Sequence, residues 1–191
     1  MALPVTVRLA TAADREAVVT LRLAAYRTAP QFTILNEAAI TGCEGQVLVA
    51  ECPDAGLVAT MQVVECQTAE DLQRHGGSLP PAAFQGLPSL LLNRGATRPG
   101  RHYQGLNSRL RLLALDGALA DERIQSLTGY VYDGAPRLNL LRELGYAFAP
   151  VTENDHHLCG HTAELFVWLR REQFTAAREQ LLVLTNYLPN P

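Results

Sequence analysis

The sequence contains no lysine, so all 16 of its basic residues are arginine. This absence excludes Schiff-base chemistry on a lysine amine, and it excludes the lysine of a P-loop. No apolar run approaches the ~18 residues that a membrane-spanning helix needs. The formal charge of −3 argues against nucleic acid or an anionic membrane as the main partner.

Cysteine is scarce and has no CxxC spacing; the four residues are Cys43, Cys52, Cys66 and Cys159. The opening stretch MALPVTVRLATAADREAV carries charges where a secretory signal would have an apolar segment. We therefore expect reduced thiols and a cytoplasmic protein.

One stretch, HHLCGH, has side chains that can ligate metals: His156, His157, Cys159 and His161. Their spacing matches no standard structural zinc pattern, and the stretch lies between two predicted strands. We interpret it as a polar hairpin loop that could line an acceptor pocket, and we predict no metal.

The length of 191 residues and the apolar fraction of 48% suit one globular domain. We expect residues 1–170 to form the domain and residues 171–191 to add a C-terminal helical extension to it. Periodicity and turn residues predict strands at 5–10, 46–51, 56–65, 89–97, 124–133, 146–151 and 164–170. They predict helices after Thr11, within 28–45, at 105–119, from Pro136 to Gly145 and at 172–186, with an irregular loop at 67–88.

The loop RPGRHYQGLNS joins the strand at 89–97 to the helix at 105–119. The first N–H groups of a helix have no partner within it, and its N-terminus carries the positive end of the dipole. Five arginines lie in or beside this loop: Arg94, Arg98, Arg101, Arg109 and Arg111. The loop therefore predicts a phosphate or pyrophosphate site, and the alternative is a well-capped helix with a solvated arginine face.

The order of elements resembles the GCN5-related N-acetyltransferase (GNAT) superfamily. In that family a pyrophosphate loop opens with Arg or Gln, has its central glycine three residues later and ends with Gly or Ala. Here Gly105 matches, while His102 and Asn107 replace the outer residues. The segment GAPRLNLLRELGYAF, residues 134–148, resembles the family's later helix and the strand after it.

The resemblance implies an α/β (α+β) fold with a central mixed, mostly antiparallel sheet and helices on both faces. It implies an N-acyltransferase that uses acetyl-CoA as cosubstrate and a small-molecule amine as acceptor, which attacks the thioester directly. The residues that it assigns to the cofactor are Ala96, Thr97, Arg101, His102, Tyr103, Gln104, Gly105, Leu106, Asn107, Ser108 and Asn139.

The general acid is the main departure from the family. Many members have a tyrosine four residues before the glycine of the later helix, where this chain has Leu141. Tyr130 and Tyr132 are candidate substitutes, although the thiolate could also leave unaided. Glu65 and Glu51 are candidate bases for the amine.

Two other functions stay open. One is an N-acyl amino acid or acyl-homoserine-lactone synthase-like enzyme that takes its acyl group from acyl carrier protein. The other is a catalytically silent acyl-CoA-binding or sensing domain, for which Leu141 is the best support. The acidic residues Glu37, Glu44, Glu70 and Asp71 favour a cationic amine as acceptor, and a homodimer is left open.

Overall fold

A computed structural model describes residues 5–28, 37–76, 79, 81–100, 103, 105–151 and 164–187. Its strands are β1 (Thr6–Leu9), β2 (Gln46–Cys52), β3 (Gly56–Cys66), β4 (Ser89–Thr97), β5 (Ser126–Tyr132), β6 (Ala147–Pro150) and β7 (Glu164–Arg170). Its helices are α1 (Arg15–Thr28), α2 (Glu37–Thr41), α3 (Ala69–Gly76), α4 (Leu106–Ala120), α5 (Leu138–Glu143) and α6 (Phe174–Tyr187). No helix in these ranges is long and apolar enough to cross a membrane.

The strands form a single sheet in the order β1-β2-β3-β4-β5-β7-β6. The pair β4–β5 is parallel, and the other described neighbours are antiparallel. The sheet is therefore mixed and mostly antiparallel, as predicted. The crossover between the two parallel strands contains α4, which agrees with the helix that such a connection usually carries.

Helices cover both faces of the sheet. On one face, Leu92 and Leu127 of the sheet belong to the largest apolar cluster, together with residues of α4 and α6. On the opposite face, Leu91 packs with Leu72 of α3, and Ala96 packs with side chains of α1 and α2. Because neighbouring residues of β4 point to opposite faces, the strand is covered on both sides.

The segment 67–88 corrects one prediction, because it contains α3 and a 3₁₀ turn at Pro81–Gly86. The carboxylate of Asp71 accepts hydrogen bonds from the backbone N–H groups of Gln67 and Thr68, each at 3.0 Å. Leu72 is fully buried and anchors the helix, while Glu70, Gln73 and Arg74 are exposed. One buried residue produces no apolar period, so the sequence pattern does not indicate this helix.

Two helix details also differ from the prediction. The first residue of α5 is Leu138, so Pro136 precedes the helix instead of occupying its first position. In α6, Phe174, Ala177 and Leu181 are buried as expected, but Leu184 is 39% exposed. The buried stripe of α6 therefore continues to Thr185 and not to Leu184, and the hydroxyl of Thr185 donates to the carbonyl of Leu181.

Candidate active site

The parallel strands β4 and β5 separate halfway along their length. Residues 89–92 of β4 pair with residues 126–129 of β5, and the register between the two strands ends there. The last pair needs a glycine, since a Cβ on Gly129 would lie 2.9 Å from the carbonyl oxygen of Leu92. Beyond it, residues 93–97 and 130–132 form the two walls of an opening, which we call the wedge.

A β-bulge in β4 lies at the beginning of the wedge. Thr60 of β3 is opposite Ala96 and Gln62 is opposite Asn93, so Arg94 and Gly95 together occupy a single step of the ladder. The φ angle of Arg94 is +47°, in the left-handed region that L-residues rarely adopt. A bulge bends and twists its strand, which gives a physical reason for β4 to leave β5 here.

The N-terminus of α4 lies just beyond the end of β4. Gly105 is the N-cap residue with φ +83°, and its carbonyl accepts the N–H of Ser108 at 3.0 Å. Leu106 is fully buried and fixes the start of the helix, while Tyr103 is half-buried and packs against the same core. The first-turn amides and the helix dipole make this terminus suited to an anion. Arg101, His102 and Gln104 of the predicted site lie outside the described residues.

Asn107 connects this terminus to the bulged strand. Its Nδ2 donates to Oγ1 of Thr97 at 2.8 Å, and its Oδ1 is buried with no hydrogen-bond partner in the described structure. A Cβ on Gly95 would come within 3.4 Å of that oxygen. Three features thus meet at one end of the wedge: the end of β4, the start of α4 and an unsatisfied amide.

The remaining predicted cofactor residues are more dispersed. Ala96 is buried against α1 and α2, so its side chain faces away from α4. Ser108 is half-buried in the first turn of α4. Asn139 is exposed on α5, where its Oδ1 accepts a hydrogen bond from Arg142 at 3.3 Å.

The two candidate acids follow the last β4–β5 pair on β5. The hydroxyl of Tyr130 donates to the carbonyl of Leu72 at 3.3 Å, and burial raises the pKa of this phenol well above its ordinary value. Tyr132 is half-buried at the end of β5, opposite Glu164 of β7. Leu141, where the family often has its acid, is 1% exposed and packs in the largest apolar cluster.

The two candidate bases lie away from the wedge. Glu65 is opposite Leu90, on the paired half of β4, where its carboxylate contacts Arg123 at 3.5 Å. Glu51 is on β2 and forms an ion pair at 2.8 Å with Arg8 of β1. The structure therefore does not bring either carboxylate together with Tyr132.

A group of polar side chains, of which the sequence singled out only Arg94, lies beside the bulge, on the face covered by α1 and α2. We call it the polar cluster and define it as Arg22, Gln62, Asn93 and Arg94. Arg22 and Gln62 are fully buried, and burial lowers the pKa of the Arg22 guanidinium. The available signal was polar residues inside the otherwise apolar strands ATMQVV and SLLLNRGAT.

His75 was also missed, because it was assigned to a loop. It lies in the last turn of α3 with its side chain 11% exposed, and its Nε2 is 3.9 Å from Oε2 of Glu44. Burial lowers the pKa of His75 and outweighs the carboxylate of Glu44, which acts in the opposite direction; the guanidinium of Arg94 lowers this pKa further. At neutral pH this imidazole is therefore uncharged and can accept a proton.

No cluster of three or more His, Cys, Asp or Glu side chains suited to a metal occurs among the residues that the structure describes. The predicted loop with His156, His157, Cys159 and His161 lies outside them.

The overall fold of this chain is shared with known structures. Comparison of the sequence with protein-family models and with curated proteins gives no match. Comparison of the structures finds many similar chains with low sequence identity. The chain has the fold of the GCN5-related N-acetyltransferases, as the resemblance predicted.

Three of these structures illustrate the likeness. The N-acyl amino acid synthase FeeM from uncultured soil microbes is 16% identical, with a TM-score of 0.61 over 95% of this chain and 98% of that one. A spermidine N-acetyltransferase from Vibrio cholerae, in complex with CoA and spermine, is 13% identical, with a TM-score of 0.59 over 90% and 98%. A ribosomal-protein-alanine N-acetyltransferase from Brucella melitensis is 16% identical, with a TM-score of 0.55 over 86% and 99%.

Proposed function

We propose that the protein is an acyl-CoA-dependent N-acyltransferase that transfers an acyl group, in the simplest case acetyl, to a primary amine of a small molecule. The observation that carries the proposal is the wedge between β4 and β5, together with the N-terminus of α4 at its end. Acyl-CoA has a long pantetheine arm, which needs an extended opening, and a pyrophosphate, which needs an anion site. Structural neighbours named N-acetyltransferases, one of them in complex with CoA, support the same proposal.

The pyrophosphate would be bound by the amides at the start of α4, at Gly105, Leu106, Asn107 and Ser108. Gly105 suits this position because no side chain separates its backbone from a ligand. The unsatisfied Oδ1 of Asn107 and the backbone of residues 93–97 would face the pantetheine arm, which carries amide N–H groups. The residues present therefore fit the donor, and the arm would run along β4 towards the bulge.

The reaction itself is direct attack. The amine nitrogen forms a bond to the thioester carbon, the carbon–sulfur bond breaks, and the nitrogen proton passes to a base while the thiolate leaves or is protonated. Glu65 stays a prediction from the sequence for the base. We favour His75, because it is uncharged at neutral pH, nearly buried and close enough to Arg94 for their charges to interact.

For the acid, Tyr132 is the better of the two tyrosine candidates. The hydroxyl of Tyr130 is engaged with the carbonyl of Leu72, and its raised pKa makes it a weaker acid. Tyr132 ends β5 at the wedge, where a departing thiolate would be formed. Unaided departure of the thiolate stays the alternative, since thiols are far more acidic than amines.

The proposal is tested by following the release of CoA thiol from acetyl-CoA in the presence of a panel of primary amines. We expect release that depends on the amine, with a matching N-acetyl product. Release from an acyl carrier protein thioester but not from any acyl-CoA would favour the synthase-like alternative. Binding of acetyl-CoA without release in any assay would favour the sensing domain.

A further inference from the structure

One side chain extends across the wedge from the β5 side to the β4 side. Arg137 is the N-cap residue of α5, and its Nη2 donates to the backbone carbonyl of Tyr130 at 3.2 Å. Tyr130 follows the last β4–β5 pair, so this carbonyl belongs to the β5 wall. Nη1 of the same guanidinium lies 3.9 Å from the position that a Cβ on Gly95 would occupy, on the β4 wall. The guanidinium therefore lies between the two walls.

This guanidinium occupies space that the donor would need. The pantetheine arm is proposed to run along residues 93–97, which include Gly95. Gly95 has no side chain, and the space beside it holds the guanidinium of Arg137 and the amide of Asn107. An arm that followed β4 past Gly95 would collide with the guanidinium, so Arg137 has to move before a donor can bind. Its hydrogen bond to the carbonyl of Tyr130 opposes that movement, because a charged donor makes a stronger hydrogen bond than a neutral one.

The proposed pyrophosphate site is adjacent to the same guanidinium. Oδ1 of Asn107, in the first turn of α4, lies 3.4 Å from the Cβ position on Gly95 that is 3.9 Å from Nη1 of Arg137. Arg137 is exposed, so its side chain can leave the wedge without disturbing the core. It has a further interaction besides the bond to Tyr130, and is therefore not an unpaired charge. A phosphate at the start of α4 would still attract it, since both partners of a guanidinium–phosphate hydrogen bond are charged.

We infer that Arg137 selects the acyl donor. Without a donor, its guanidinium blocks the wedge. A donor with a pyrophosphate draws the guanidinium from the carbonyl of Tyr130 to the phosphates, and the arm can then enter. A thioester with the same arm but no pyrophosphate has no group that moves the guanidinium. Arg137 thus acts against the wrong donor as well as in favour of the right one. This inference rests on the proposed function and specifies its donor.

The test compares three acetyl thioesters that share the pantetheine arm. Acetyl-CoA and acetyl-dephospho-CoA carry the pyrophosphate, whereas acetyl-pantetheine ends before it. Release of the thiol is measured for each donor with one primary amine that the unaltered protein acetylates. For the unaltered protein, kcat/KM for both pyrophosphate donors should exceed that for acetyl-pantetheine by about 1,000-fold, and the difference should lie mainly in KM.

Arg137→Ala removes both the obstruction and the phosphate contact, so the two kinds of donor should respond in opposite directions. For acetyl-pantetheine, kcat/KM should rise by about 10-fold, because the wedge no longer has to be opened. For acetyl-CoA it should fall by about 10-fold, because the loss of a guanidinium–phosphate contact, about 100-fold, outweighs that gain. Arg137→Lys keeps the charge without the planar fork and should retain part of the preference for acetyl-CoA.

Two controls show that the effect belongs to this position. Arg15→Ala removes another exposed arginine, on α1, and should change kcat/KM for neither donor. Thermal unfolding of Arg137→Ala should give the Tm of the unaltered protein, because the side chain is exposed. The ratio of the two kcat/KM values does not depend on the folded fraction, so its fall from about 1,000 to about 10 can be measured even if the Tm is lowered.

The outcomes separate the two proposals. For Arg137→Ala, a fall for all donors, a rise for all donors, no change, or a fall for acetyl-CoA without a rise for acetyl-pantetheine would overturn the inference and leave the N-acyltransferase proposal standing. The same holds if acetyl-dephospho-CoA responds like acetyl-pantetheine, because the pyrophosphate would then not be the group that moves the guanidinium. Absence of thiol release from every donor, combined with no binding of acetyl-CoA in calorimetry, would overturn the proposed function and the inference together.

Discussion

Gly105 offers a matched pair of substitutions that isolates the charge of the proposed pyrophosphate site. Its φ of +83° lies in the left-handed region, where Asn and Asp are the best tolerated of the side chains other than glycine. Gly105→Asn and Gly105→Asp therefore introduce nearly the same shape and about the same backbone strain, on the order of 1 kcal/mol. They differ by one negative charge at the N-terminus of α4.

That charge should weaken the binding of acetyl-CoA by a predictable amount. A carboxylate about 7 Å from one phosphate charge costs about 2 kcal/mol at the effective dielectric constant of ~20 that suits a protein surface. This corresponds to about a 30-fold loss of affinity in the Asp variant relative to the Asn variant. The loss should shrink as salt is raised, because exposed charges are screened.

Isothermal titration calorimetry of both variants with acetyl-CoA, at low and at high salt, measures this difference. Thermal unfolding serves as the control and should give closely similar Tm values for the pair. Equal affinities of the two folded variants would refute the placement of the pyrophosphate at Gly105.

The remaining predictions concern the proposed base, the proposed acid and the core. His75→Asn should lower kcat by about 100-fold and remove the fall in rate at acidic pH. Because the pKa of His75 is lowered, the fall in the unaltered protein should begin below the ordinary imidazole pKa near 6.5. A pH–rate profile that His75→Asn leaves unchanged would exclude this base. Tyr132→Phe should lower turnover without changing the affinity for CoA. Tyr130→Phe is the matched control and should change only the stability of the protein. Full activity of Tyr132→Phe would exclude Tyr132 as the acid. Phe166→Ala removes a fully buried ring that packs between Tyr130 and Trp168. It should lower the free energy of unfolding, measured in urea, by about 3–5 kcal/mol, and a decrease below about 1 kcal/mol would contradict the described packing.

Much of the sheet could be predicted because its strands either alternate apolar and polar residues or form short apolar runs between turn residues. The hairpin of β2 and β3 follows from the turn residues 53–56, and the crossover helix α4 follows from the spacing of Leu106, Leu110 and Ala114, all three of which are buried. α3 could not be predicted in this way, since its stability depends on capping by Asp71 and on the burial of Leu72.

The candidate site also combines features that are local in the sequence with features that depend on tertiary packing. The position of Gly105 at the start of α4 could be predicted because a glycine, a preceding strand and a following amphipathic helix are local features of the sequence. The bulge at Arg94 was not found, because a positive φ at an arginine is imposed by the sheet and leaves no trace in composition. Arg22 and Gln62 are 40 positions apart, so their contact depends on the packing of α1 against β3.

The central claim is that acyl-CoA binds in the wedge between β4 and β5. A crystal structure of the complex with acetyl-CoA tests it most directly. We expect the pyrophosphate to contact the amides of Gly105 to Ser108, the pantetheine arm to run along residues 93–97, and the thioester to lie beside the bulge at Arg94. Acetyl-CoA bound at another surface, with the wedge between Thr97 and Tyr132 left without ligand, would contradict it.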